Sequence, residues 1–140
     1  MPESVFRAEV DAVQGLTEDV RILQLVKMRL PKRPVILDVG ASDGRWTRQF
    51  LQLFPGATAF LFEPGTAYAD GMRATLHSHK RLKLFPIAIG DRNGPAAFHV
   101  LPDPFGLTTV DWDGTEGKLT MVPMRTIDSL IDEGAITQPD

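Results

Sequence analysis

The sequence predicts an α/β protein with a parallel sheet and helices on both faces, and three observations carry that expectation. Residues 34–40, 58–63 and 82–89 are short, almost wholly apolar runs, the pattern of strands covered on both faces of a parallel sheet. Helix-length segments separate them, giving the order strand, helix, strand, helix, strand, which right-handed crossovers turn into a parallel sheet. The chain has 140 residues, 43 % of them hydrophobic, enough for one domain with a real core.

In chain order, residues 16–30 crowd Val20, Ile22, Leu23, Leu25, Val26, Met28 and Leu30 into one helix, with Thr17 as N-cap and Glu18 and Asp19 in the first turn. Pro31 and Pro34 end it. After the first strand, residues 44–54 bring Trp46, Phe50, Leu53 and Phe54 to helical spacing, with Trp46 expected in the helix core or, as the alternative, lining a cofactor pocket near its mouth, until Pro55-Gly56 stops the pattern. The second strand breaks at Pro64-Gly65, and Tyr68, Met72 and Leu76 mark a second crossover helix. Pro86 lies inside the third run and cannot donate to a central ladder, so this strand belongs at a sheet edge. Asp91-Arg-Asn-Gly94 is a turn, residues 96–101 and 118–122 read as an antiparallel pair, and Thr126 caps a short helix over 126–132 that finishes near Gly134. The division expected is an N-terminal helical segment, 1–33, followed by a cofactor-binding half-domain, 34–140.

Composition excludes several classes of function. With no cysteine there is no disulfide framework, thiolate metal site or Cys nucleophile. The 15 Lys and Arg against 18 Asp and Glu give a net charge of −3, which argues against nucleic acid as a partner. The charged N-terminus and the lack of any run of about 18 apolar residues argue for a cytoplasmic protein without a membrane partner.

The chemistry concentrates at the end of the first strand, in Asp38-Val-Gly40-Ala-Ser-Asp-Gly44. Gly40 lets the backbone turn tightly and approach a ligand, and free N–H groups at the start of the next helix are expected to face the same space. Asp38 can accept from a cationic or hydroxylated ligand. The spacing D-x-G-x-x-x-G lacks the G-x-G-x-x-G of a pyrophosphate-binding turn, which disfavours a dinucleotide oxidoreductase. Glu63 ends the second strand, beside that turn, where a carboxylate can chelate two ribose hydroxyls.

These residues resemble the class I S-adenosylmethionine-dependent methyltransferases, and more narrowly the FkbM family. Val35-Ile-Leu-Asp-Val-Gly-Ala-Ser-Asp-Gly44 is similar to that family's opening motif, Phe62-Glu-Pro64 to its second, Ala88-Ile-Gly-Asp91 to its third and Val122-Pro-Met-Arg-Thr-Ile-Asp-Ser-Leu130 to its fourth. Ser42 stands where the family usually has Asn, and the family's next motif does not occur before Asp140. The resemblance implies a Rossmann-like methyltransferase sheet, truncated after the third core strand and a β-hairpin. It implies S-adenosyl-L-methionine as cofactor. Asp38 and Gly40 would face its methionine end, Ala41, Ser42 and Gly44 would complete the turn, Glu63 would bind the ribose, and Pro64 and Ala88 would flank adenine. The acceptor implied is a hydroxyl of a sugar or other small molecule. No residue of the chain reads as the general base; a non-catalytic cofactor-binding or interaction module is the alternative.

Other polar groups read as structural. Asp91 begins a turn; His77 and His79, followed by Lys80 and Arg81, form a solvated corner; Asp111, Asp113 and Glu116 lie in a surface loop. His99 is as readily packed as functional. In a sheet ordered third, second, first strand, residues 35–39 form an open edge, expected to be buried by self-association, by the C-terminal hairpin folding across it, or by a further part of a longer protein from which the chain was cut.

Overall fold

The computed structural model of the chain describes residues 18–100 and 118–140. Helix α1 (Glu18–Lys27) precedes β1 (Val35–Val39), α2 (Arg45–Leu53) and β2 (Thr58–Phe62); a single 3₁₀ turn, Thr66–Tyr68, leads into α3 (Ala69–Ser78) and β3 (Leu82–Phe85). The three strands are parallel in the order β1-β2-β3, with Val35 opposite Thr58 and Ala59 opposite Leu82. That is the sheet order expected, with β3 at an edge.

Alternation along the strands separates two faces. On one, Ala59 and Leu61 pack with Met72 of α3, while Ile36 and Leu82 also meet the cluster of Phe50 and Leu51 from α2, Phe54 at its C-cap and Leu23 from α1. Phe50 stacks on Phe54 at 4.7 Å between ring centroids. On the other face, Phe60 and Phe62 pack with Leu130 and Ile136, flanked by Val35, Leu37 and Phe85. Helices therefore cover both faces.

The expected strand over 82–89 is two strands in different sheets. Pro86 separates β3 from β4 (Ala88–Ile89): with no N–H and a fixed φ it cannot carry one ladder through. Strand β4 pairs in parallel with β6 (Lys118–Arg125), and β6 pairs antiparallel with β5 (Gly94–Val100), so the hairpin expected forms and is longer than predicted. Helix α4 (Ile127–Asp132) begins where expected, Thr126 Oγ1 accepting from Ser129 N at 3.1 Å. The Asp91–Gly94 turn is tied to this helix by Asn93, whose Oδ1 accepts from Thr126 N at 3.0 Å and Ser129 Oγ at 2.9 Å. Trp46 departs from expectation: it is 42 % exposed and stacks on Phe50 from outside the core. Thr17, Asp111, Asp113 and Glu116 lie outside the described residues.

Strand β1 is an edge. Pro34 O accepts from Thr58 N, and Gly40 N donates to Phe62 O; the even-numbered residues of β1 thus bond to β2, and the odd ones turn their N–H and C=O outward. Val35 is met there by Asp140, whose amide donates to Val35 O at 3.1 Å and whose carboxylate accepts from Val35 N at 2.7 Å. On this outer side nothing among the described residues pairs with Leu37 or Val39, and Val39 is 56 % exposed. Among the described residues the hairpin strands pair in the second sheet and not with this edge. Among the described residues no helix is long and apolar enough to cross a membrane.

Candidate functional site

The carboxyl ends of β1 and β2 bring the loop 40–44 and Glu63 together. Three residues of that loop have left-handed backbone, Gly40 at φ 76°, Ser42 at φ 52° and Gly44 at φ 76°. Glycine adopts this region freely and serine at a cost of about 1 kcal/mol. A Cβ on Gly40 would meet nothing within 4 Å, so the loop is open on that side; a Cβ on Gly44 would lie 2.8 Å from Thr75 Oγ1, so it is closed against α3 on the other.

Glu63 latches this loop to β2. One carboxylate oxygen accepts from Ser42 N at 2.9 Å and the other from Gly65 N at 2.7 Å, with the residue only 8 % exposed. Each oxygen keeps one lone pair for a further donor. Gly65 is required by this approach, since a Cβ there would sit 2.8 Å from Glu63 Oε1. The latch was not legible in the sequence, which offers Glu63 only as a ligand group.

Asp38 faces α2. Its carboxylate accepts from Thr47 Oγ1 and from the Thr47 backbone amide. Burial pushes its pKa up from the ordinary 3.8, against the pull of these two hydrogen bonds. Thr47 is fully buried nine residues beyond Asp38, and no sequence signal marked it.

The free N–H groups expected here are largely engaged. Gly40 and Ala41 donate to Phe62 O, Ser42 to Glu63, Gly44 to Ala41 O at 2.8 Å and Arg45 to Asp43 Oδ1 at 2.9 Å. The tight loop satisfies most of its own donors, so what it offers a ligand is space over Gly40 with the Glu63 carboxylate at the loop, while the Asp38 carboxylate is turned onto Thr47.

Of the remaining residues, Ala41 is buried against Ala59, Leu61 and Met72, and Pro64 is half-buried in the turn after β2. Ala88 is not brought to the loop: its side chain is buried with Ala96, Phe98, Val122 and Met124 in the core of the second sheet. The backbone of this region does approach, since Glu63 N donates to Phe85 O at 3.1 Å. Asp91 is exposed and pairs with Arg92 at 3.3 Å; His77 is exposed, with Nδ1 3.1 Å from Arg73 O. His99 is half-buried on β5 opposite Leu119, its Nδ1 unpartnered among the described residues. Among the described residues no group of three or more His, Asp or Glu side chains is placed to hold a metal.

The α/β fold is of a class that a solved methyltransferase shares. A solved methyltransferase, FkbM from Methylobacillus flagellatus KT, superposes with a TM-score of 0.50 at 15 % identity, over 92 % of this chain and 38 % of its own. In sequence the chain is 45 % identical over 76 residues to the 2-O-methyltransferase NoeI of Sinorhizobium fredii (strain NBRC 101917 / NGR234), covering 54 % of this chain and 31 % of that protein. No protein-family model matches. The chain is FkbM-like in fold, similar in sequence to a methyltransferase, and spans about a third of the length of these relatives.

Proposed function

We propose that the chain is the cofactor-binding part of an S-adenosylmethionine-dependent methyltransferase that acts on a hydroxyl of a sugar or other small molecule. The observation that carries this reading is the Glu63 carboxylate, held at Ser42 beside the open face of Gly40. The residues fit the group. A sulfonium cofactor presents a positive centre, an amino-acid end and two ribose hydroxyls, and the site has the Glu63 carboxylate at Ser42 and the Asp38 charge at the end of β1, while most of the loop's own amides are engaged. A dinucleotide pyrophosphate needs the reverse, a nest of free N–H donors.

The cofactor supplies a methyl group on a cationic sulfur whose leaving form is neutral. The residues of the chain then have to bind and orient it. Glu63 takes the ribose hydroxyls on its remaining lone pairs, Gly40 gives the methionine portion room, and Asp38 supports that end with its negative charge. Orientation of this kind supplies up to about 7–11 kcal/mol of barrier reduction in well-aligned reactions. The 2-O-methyltransferase named among the relatives favours oxygen as the acceptor atom. We place the activity in the cytoplasm, with the open edge of β1 as the surface for any self-association.

Calorimetric titration with S-adenosylhomocysteine, with NAD as control, tests the reading: micromolar binding of the first and none of the second is expected. Binding of NAD alone would overturn it. Binding without methyl transfer from radiolabelled donor to sugar hydroxyls, by a chain extended to the length of its relatives, would favour the non-catalytic module.

A further inference from the structure

We propose that Arg48 and Thr75 are positioning residues for the methionine end of the cofactor, an inference that rests on the S-adenosylmethionine reading above. The loop alternates left-handed residues at 40, 42 and 44, a conformation that a free chain does not hold unaided. It is anchored at two places. On the sheet side Glu63 holds Ser42. On the helix side Arg48 Nη1 donates to Asp43 O at 3.1 Å and to Thr75 Oγ1, and the single Thr75 hydroxyl proton is shared between the same Asp43 carbonyl at 3.0 Å and Gly71 O, in its own helix, at 3.1 Å.

This second anchor brings two elements onto one carbonyl. Arg48 comes from α2, and Thr75, fully buried, comes from α3. The Arg48 guanidinium also lies 3.9 Å from the Asp43 carboxylate. Both glycines at the junction are needed for the approach: a Cβ on Gly71 would stand 2.9 Å from Asp43 Cβ, and one on Gly44 would meet Thr75 at 2.8 Å.

The division of labour follows from position along the loop. The Glu63 anchor sits on the ribose side. The Asp43 anchor fixes the turn into α2, and α2 carries Thr47, the hydrogen-bond partner of Asp38. Releasing Asp43 therefore shifts the start of α2 and with it Thr47, the group that orients the Asp38 carboxylate, while Gly40 and Ala41 stay on Phe62 O and Glu63 stays where β2 holds it. The consequence is selective: ligands with an amino-acid tail lose affinity, and ligands that end at the thioether do not.

The test compares S-adenosylhomocysteine with 5′-methylthioadenosine, which lacks the amino-acid tail, by calorimetry on the 140-residue chain and its Arg48→Met, Thr75→Val and Arg48→Lys variants. Arg48→Met and Thr75→Val should weaken S-adenosylhomocysteine about tenfold, the scale of one lost charged hydrogen bond, and methylthioadenosine less than about twofold. Arg48→Lys keeps a cation near Asp43 and should recover part of the loss. It is also the mildest change, at a side chain partly open to solvent, and gives a folded reference. Equal weakening of both ligands, or of neither, overturns the positioning role. If the wild-type chain binds neither ligand, the S-adenosylmethionine reading itself fails and takes this inference with it.

Discussion

Replacing Glu63 by Gln separates its two jobs, because the side-chain amide keeps the shape and loses an acceptor. Both carboxylate oxygens accept from backbone amides, of Ser42 at 2.9 Å and of Gly65 at 2.7 Å. Whichever way a Gln amide turns, its NH₂ faces one of those two donors, so one bond is lost and the other becomes neutral. A hydrogen bond to a charged acceptor contributes about 1.5–3 kcal/mol, so the variant should lose about 2–4 kcal/mol of stability. At 140 residues the unfolding entropy is about 0.3 kcal/mol per kelvin, which converts that loss into a fall of about 7–13 °C in Tm. Differential scanning calorimetry on wild type and Glu63→Gln measures it, with S-adenosylhomocysteine titration on the same samples. A fall under about 2 °C, on the same scale, would show that the latch does not hold the loop, and cofactor positioning by Glu63 would lose its basis.

Three further predictions concern the loop and the edge. Ser42→Asn should raise Tm by about 2–3 °C, the equivalent of about 0.5–1 kcal/mol, because Asn tolerates the left-handed backbone that Ser42 holds at φ 52°; a lower Tm would remove the strain argument. Burial raises the pKa of Asp38 above 3.8, so the folded state binds the extra proton and stability falls as pH rises through the window above that value. Asp38→Asn should therefore be more stable than wild type at pH 7 by calorimetry, with the advantage vanishing below the ordinary value of 3.8; an equal advantage at both ends would remove burial as its cause. In hydrogen exchange, the amides of Leu37 and Val39 should exchange fast in a monomer while those of Ile36 and Asp38 are protected. Protection of Leu37 that grows with protein concentration would show the edge pairing between copies.

The first sheet was legible because its information is local and repeated. Apolar runs set the strands, helix-length spacers force the crossovers, and the proline in 82–89 put that run at an edge. The same proline misled about length. A residue that cannot donate also permits the backbone to leave one sheet for another, and only the pairing of Ala88 with Met124, 36 positions later, decides between these outcomes. Trp46 misled for a related reason: helical spacing assigns a stripe, not its width, and Trp46 lies at the margin of the stripe that Phe50 and Phe54 fill.

The loop was legible where a single residue type is required and opaque where partners are needed. Gly40 and Gly44 stood out because left-handed backbone selects glycine, and the serine between them marks a departure whose physical content is the positive φ at that position. Glu63 was legible as a carboxylate beside the loop, but the donors it meets belong to the backbone of Ser42 and Gly65, and backbone donors have no sequence signature. Thr47, Arg48 and Thr75 were opaque on the same ground: hydroxyls and guanidinium groups occur on any helix, and it is the approach of α3 at Gly71 that puts Thr75 and Arg48 on the Asp43 carbonyl. The expectation of free helix amides held for few of them, because a loop this tight consumes most of its own donors. Spent amides leave acceptors as the polar groups beside the open face of Gly40, and this argues for a cationic, hydroxyl-bearing ligand over an anionic one.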